Sequence, residues 1–131
     1  MSVVFDTEAL LVFYLDEAGS TTVQEHLEKI QERRTSGYLS IVNLTEFHYI
    51  LYPRDPELAE DKEKSLRAFG LEIVPVLDDE LWGLAANIKA KHALSLADAF
   101  AAATAKVKRA KLVTRRDEQY RSVGISLLRV R

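Results

Sequence analysis

The chain has 131 residues, 18 Lys plus Arg against 20 Asp plus Glu, 47% apolar and 29% charged residues, and no cysteine. That is one domain's worth of sequence, too apolar to be disordered and without the run of about 18 apolar residues that would span a bilayer. Asp6 and Glu8 interrupt the apolar stretch a secretory leader would need, so a cytoplasmic location is expected. With no thiolate to supply, zinc–thiolate, iron–sulfur and cysteine-nucleophile chemistry are excluded. The net charge of -2 hides a segregation: residues 105–131 carry nine basic side chains against two acids, and residues 1–104 carry nine against 18. The basic end would either face an anion or neutralise the acidic body, and charge alone leaves both open.

Val3-Val4-Phe5 reads as a short strand ending at Asp6, and Thr7 to Leu15 then takes up a helical apolar rhythm. A second helix is expected from about Thr21 to Arg34, with Thr22 and Glu25 spaced as a capping box and Gly37 after its end. Tyr38 to Val42 has strand character, and Asn43 with Glu46 three residues on predicts a helix start leading to Pro53. Asp55-Pro56 opens a polar helix that Gly70 closes, and Leu71 to Val76 is the next strand. Asp78-Asp79-Glu80 favours the start of a helix with Leu81, Leu84, Ala85 and Ile88 inside. Ser95 with Asp98 repeats the cap-box spacing ahead of an alanine-rich helix through Val107, and Leu112 to Thr114 and Ile125 to Val130 supply the last strands. Strands alternating with helices, without an Asn-Gly hairpin signal, predict one α/β domain over residues 1–131. Its sheet is mainly parallel and flanked by helices on both faces.

Ligands of an open parallel sheet bind beyond the carboxyl ends of its strands, so acids just after strands or in the first turn of the following helix are the ones to weigh. Asp6, Glu46, Asp98 and Asp117 meet that test. Gathered in one cleft they would repel one another unless a cation sat among them, and hard oxygen donors without His or Cys suit Mg²⁺ or Mn²⁺. Such an ion activates water against a phosphodiester, which is nuclease chemistry, with Thr7 and Thr114 as supporting hydroxyls. Glu46 and Asp98 also occupy the third positions of capping boxes, where an acid is expected with no catalysis at all. Asp117 alone reads equally as a turn residue.

Four stretches together resemble the PIN-domain family, and within it the short VapC-like ribonuclease toxins. They are Val3 to Leu10, Ser40 to Phe47, Leu94 to Ala105, and Leu112-Val113-Thr114 with Asp117 and Tyr120, so the resemblance spans essentially the whole chain. It implies a PIN-like fold and a Mg²⁺- or Mn²⁺-dependent endoribonuclease, the toxin of a type II toxin–antitoxin pair, with RNA as substrate. It implies Asp6, Glu46, Asp98 and Asp117 as metal-site acids, Thr114 as their supporting hydroxyl, a homodimer, and a cognate antitoxin as partner. One departure is that Asp117 stands three residues after Thr114, where the family commonly has two, with Glu118 as the stand-in. The intervening Arg115 and Arg116 would suit a phosphate backbone. The alternative is a catalytically degenerate PIN-like module that binds RNA or a partner.

The remaining features add little chemistry. His26, His48 and His92 share no metal-ligand spacing, and neither phosphate-cradling glycine motif occurs. The apolar residues around Tyr14, Phe47, Tyr49 and Tyr52 exceed what one helix face needs, which suggests a dimer or antitoxin groove, with core packing as the plainer reading.

Overall fold

A computed structural model describes all residues, 1–131. Five short strands, β1 (Ser2–Phe5), β2 (Ser36–Ser40), β3 (Glu72–Val74), β4 (Lys111–Thr114) and β5 (Leu127–Arg129), form one sheet in the order β3-β2-β1-β4-β5. Every pairing is parallel, with Val4 opposite both Tyr38 and Leu112. Helices α1 (Thr7–Tyr14) and α2 (Ser20–Gln31) link β1 to β2, α3 (Ile41–Leu51) and α4 (Pro56–Phe69) link β2 to β3, and α5 (Asp79–Lys91) and α6 (Leu96–Val107) link β3 to β4. The short α7 (Asp117–Tyr120) and a 3-10 turn at Arg121–Val123 precede β5. The expected order of elements and the parallel sheet are therefore both present. No helix is long and apolar enough to cross a membrane.

Strand alternation divides the core in two. Val3, Phe5, Leu39 and Val113 pack with α1 to α4, while Val4, Val74 and Leu112 pack with the alanine face of α6 and with Leu81, Ala85 and Ile88 of α5. Helix α6 can lie deep because Ala99, Ala101, Ala102, Ala103 and Ala105 are all buried and project little beyond Cβ. That depth carries Asp98, in the first turn of α6, under the surface.

Several boundaries differ from expectation, each for a local reason. Helix α2 begins after Gly19, which adopts φ 101 and offers no side-chain cap; Thr22 instead donates to the Arg131 carbonyl oxygen at 3.3 Å. Helix α3 begins three residues earlier than a cap at Asn43 would start it, because the Ser40 hydroxyl accepts from the Val42 amide at 3.2 Å and takes the capping role assigned to Asn43. Gly37 lies within β2 and does not stop α2; a Cβ there would fall 2.3 Å from Ile30 Cδ1, so the glycine allows α2 to approach the sheet. The cap at Asp55 with Pro56, and the left-handed Gly70 at φ 103 that ends α4, are as the sequence predicts.

Candidate functional site

The chain builds the sheet outward from β1 on one side through β2 and β3, then returns to place β4 on β1's other edge. Where strand order reverses, the connections leave in opposite directions and open a crevice beyond the carboxyl ends of β1 and β4. Asp6 directly follows β1, and Thr114 ends β4.

Asp6 is fully buried and caps α1: Oδ1 accepts from the Ala9 amide at 2.9 Å, and Oδ2 accepts from the Thr114 hydroxyl at 2.6 Å and the Tyr120 hydroxyl at 3.1 Å. Burial pushes the Asp6 carboxyl up to about 6, against the lowering effect of the Thr114 and Ala9 hydrogen bonds; the charge of Asp98 raises it further. Burial and the two facing carboxylates in turn keep the Tyr120 phenol protonated far above its ordinary range.

Asp98 is 1% exposed. The Ser95 hydroxyl accepts from the Asp98 amide at 3.1 Å, so only half of the predicted capping box forms. The Asp98 carboxylate is thereby free of capping duty. Its Oδ1 accepts from Arg116 Nη2 at 3.0 Å, and its Oδ2 is buried with no hydrogen-bond partner. A carboxylate oxygen so placed is costly unless a cation or donor reaches it.

Arg116 also lies against Glu8 Oε2 as an ion pair. Glu8 Oε1 accepts from Arg115 at 2.7 Å, and Arg115 reaches Glu17 at 3.1 Å, completing a chain of alternating charges from Glu17 to Asp98. Burial would lower the Arg116 pKa, but Asp98, Glu8 and Asp6 outweigh it and hold the guanidinium charged. The two arginines, expected at a phosphate backbone, are thus engaged within the chain. Glu8 is the residue sequence reasoning missed, because an acid in a first helical turn is ordinary in itself; the signal was its place two residues after Asp6 with a pair of arginines after the neighbouring strand.

Glu46 sits one helix away. It shares with Thr7, Glu8, Leu11, Ile50 and Arg116 a cleft of ≈ 340 Å³, and accepts from the Tyr49 hydroxyl at 3.2 Å. Thr7 does not turn toward the carboxylates: its hydroxyl accepts from Asn43 Nδ2 at 3.0 Å, and the same amide reaches the Ala97 carbonyl oxygen at 3.2 Å. Asn43, fully buried, therefore ties α1, α3 and the start of α6 together, a positioning role its expected cap position concealed. Asp117 turns to β5, where Arg129 Nε lies at 3.3 Å and Arg121 at 3.9 Å, and Glu118 is exposed. The fold thus brings Asp6 and Asp98 together, sets Glu46 and Glu8 on the adjoining cleft, and pairs Asp117 elsewhere.

No three His, Asp or Glu side chains are close enough in this arrangement to hold a metal ion. The donor set still fits a hard divalent cation: carboxylates only, one of them with a buried unpaired oxygen, around a point where a guanidinium already compensates negative charge.

The model of the PIN domain matches residues 3–125. Among solved structures, VapBC2 from Rickettsia felis bound to a DNA fragment from its promoter contains a chain that superposes at TM-score 0.78 with 17% identity, covering 100% of both chains. A toxin–antitoxin complex from Klebsiella pneumoniae gives 0.75 and 17% over 96% of this chain and 95% of the other. FitAcB from Neisseria gonorrhoeae gives 0.73 and 22% over 96% of each. At these identities the likeness shows the fold. No curated protein matches the sequence significantly.

Proposed function

Because the chain belongs to the PIN-domain family, we propose that it is a divalent-metal-dependent endoribonuclease, the toxin of a toxin–antitoxin pair. One observation carries the reading. Asp6 and Asp98, 92 positions apart in sequence by their numbers, are buried together at the strand-order reversal, and Asp98 Oδ2 has no partner. Structure of this kind is costly to maintain unless a cation is its purpose. That family members are generally nucleases supports the same conclusion.

Asp6 and Asp98 would hold Mg²⁺ or Mn²⁺, with Glu46 and Glu8 flanking the cleft through which RNA approaches. The bound ion supplies Lewis-acid activation of water and neutralises the charge that develops on the phosphodiester. The chain's own groups do the positioning. Thr114, Tyr120 and the Ala9 amide fix both oxygens of Asp6, and the Ser95 cap fixes the helix end from which Asp98 projects. Asn43 sets the spacing of α3, and hence of Glu46, against α6.

A protein partner is supported by surface chemistry. Tyr49, Tyr52, Trp82 and Leu96 are each more than half exposed, whereas Phe47 is buried in the core and Tyr14 packs half-buried against it. Tyr49 lines two neighbouring grooves, one with Val42 and Leu96 and one with Tyr52 and Pro53. The likeness to toxin chains of toxin–antitoxin complexes favours a cognate antitoxin on this face.

The second reading, a degenerate module, is favoured by the Arg116 guanidinium standing among the carboxylates. RNA cleavage assayed with Mg²⁺ or Mn²⁺ and after chelation separates the two: cleavage that requires the ion and fails in Asp98→Asn supports the nuclease, and cleavage unaffected by chelation or by Asp98→Asn refutes it.

A further inference from the structure

The carboxylates of the site are closed from solvent in a particular way. Asp98 is 1% and Asp6 0% exposed. The side chain that reaches Asp98 from the cleft is Arg116, itself about a third exposed and therefore partly on the cleft side. The guanidinium occupies one Asp98 oxygen, leaves the other unpaired, and is held from its far side by Glu8. Glu8 is in turn anchored by Arg115, which Glu17 holds. Arg116 follows β4 directly by way of Arg115 and stands one residue before the four-residue helix α7, so its side chain can swing without unpacking a long element.

Resting on the metal-dependent reading above, we propose that Arg116 is the site's own resident cation and acts as a gate. In the closed state its guanidinium, clamped between Asp98 and Glu8, satisfies the charge a divalent ion would satisfy; loading requires it to leave Asp98 for the cleft. A divalent ion and Arg116 then compete for the same carboxylate. The apparent affinity for the ion equals the intrinsic affinity multiplied by the fraction of molecules in which Arg116 is displaced, so a clamp closed about nine-tenths of the time weakens binding about tenfold. The network of Glu17, Arg115 and Glu8 sets that fraction, and the arginine pair that the sequence placed at a phosphate backbone has the earlier task of keeping the acids covered.

The test is calorimetric titration of metal-free protein with Mn²⁺, using wild type, Arg116→Gln and Asp98→Asn, with thermal denaturation of each as the folding control. The expected result is Mn²⁺ binding about tenfold or more tighter in Arg116→Gln than in wild type and lost in Asp98→Asn. Arg116→Gln without metal should also melt lower than wild type, and gain more on Mn²⁺ addition. Binding in Arg116→Gln no tighter than wild type, with Asp98→Asn still inactive in binding, overturns the gate and leaves the nuclease reading standing. Binding absent from wild type and Arg116→Gln, or unchanged in Asp98→Asn, overturns both. A readout on the unaltered chain guards against an unfolded variant: the Arg116 Nη–H resonance, bonded to Asp98 in the metal-free protein, should shift at saturating Mg²⁺. An unmoved resonance at saturation overturns the gate.

Discussion

Two acids on the same side of the sheet meet opposite fates. Asp98 is buried with one arginine for its two oxygens, and one oxygen is left without a partner. Asp117, whose side chain is 15% exposed, has two arginines, Arg129 and Arg121, whose own side chains are 48% and 73% exposed. The pair at Asp117 is screened by water and worth little beyond holding α7 against β5. The pair at Asp98 is desolvated and incompletely satisfied, so its balance of charge responds strongly to any cation that arrives. Residue type and place in the first turn of a helix are the same in both; burial relative to available donors is what separates an incompletely satisfied carboxylate from a paired one.

The largest expected break in this comparison is catalytic. Asp98→Asn should lower metal-dependent RNA cleavage by at least about 100-fold, the upper end for loss of a group supporting a metal site. Asp117→Ala should change it less than about fivefold, since surface pairs of this kind contribute at most about 1 kcal/mol. Single-turnover assays on one RNA substrate would show it, and equal losses would erase the distinction drawn above.

A thermodynamic contrast comes next. The Asp6 carboxyl, at about 6 in the fold against 3.8 in an exposed chain, binds its proton more tightly when folded. Below about pH 4 it is protonated in both states and burial costs nothing extra; as pH rises from about 4 to about 6 the penalty grows, and above that it is constant. Metal-free wild type should therefore lose about 3 kcal/mol relative to Asp6→Asn across that interval, read by urea denaturation in chelator. A flat difference would mean the charge is already compensated. Smaller again, Tyr120→Phe should cost about 1–2 kcal/mol by removing one donor from buried Asp6, and Asp117→Ala under about 1 kcal/mol, both measurable by the same denaturation.

How much of this was legible in the sequence depends on whether a signal was local. Strand and helix order followed from apolar periodicity and from caps such as Asp55-Pro56 and Ser95, which act within a few residues. Asp6 was legible because it directly follows an apolar strand, where a charge has few innocent uses, whereas Asp98 read equally as the third residue of a capping box and was singled out by the family resemblance. Partners were not legible. That Asn43 would be buried against Thr7 and Ala97, while Ser40 capped the helix, depends on how closely α3 and α6 approach. Glu8 looked like an ordinary first-turn acid, and Tyr120, though within a matching stretch, had no visible partner, until β4 came to lie beside β1. The surplus of positive charge at the end of the chain read equally as substrate contact or self-neutralisation. In the fold Arg115, Arg116, Arg121 and Arg129 all pair with acids of the chain, so neutralisation accounts for that part of it.

The pairing of β1 with β4 has a consequence for biogenesis. Asp6 waits for Thr114, 108 positions away, and for Tyr120, 114 positions away, before its second oxygen has any donor. A ribosome making this chain therefore carries no assembled pocket until Tyr120 has been added and has cleared the exit tunnel. The order in which the polypeptide is threaded leaves a half-made chain with Asp6 short of its donors.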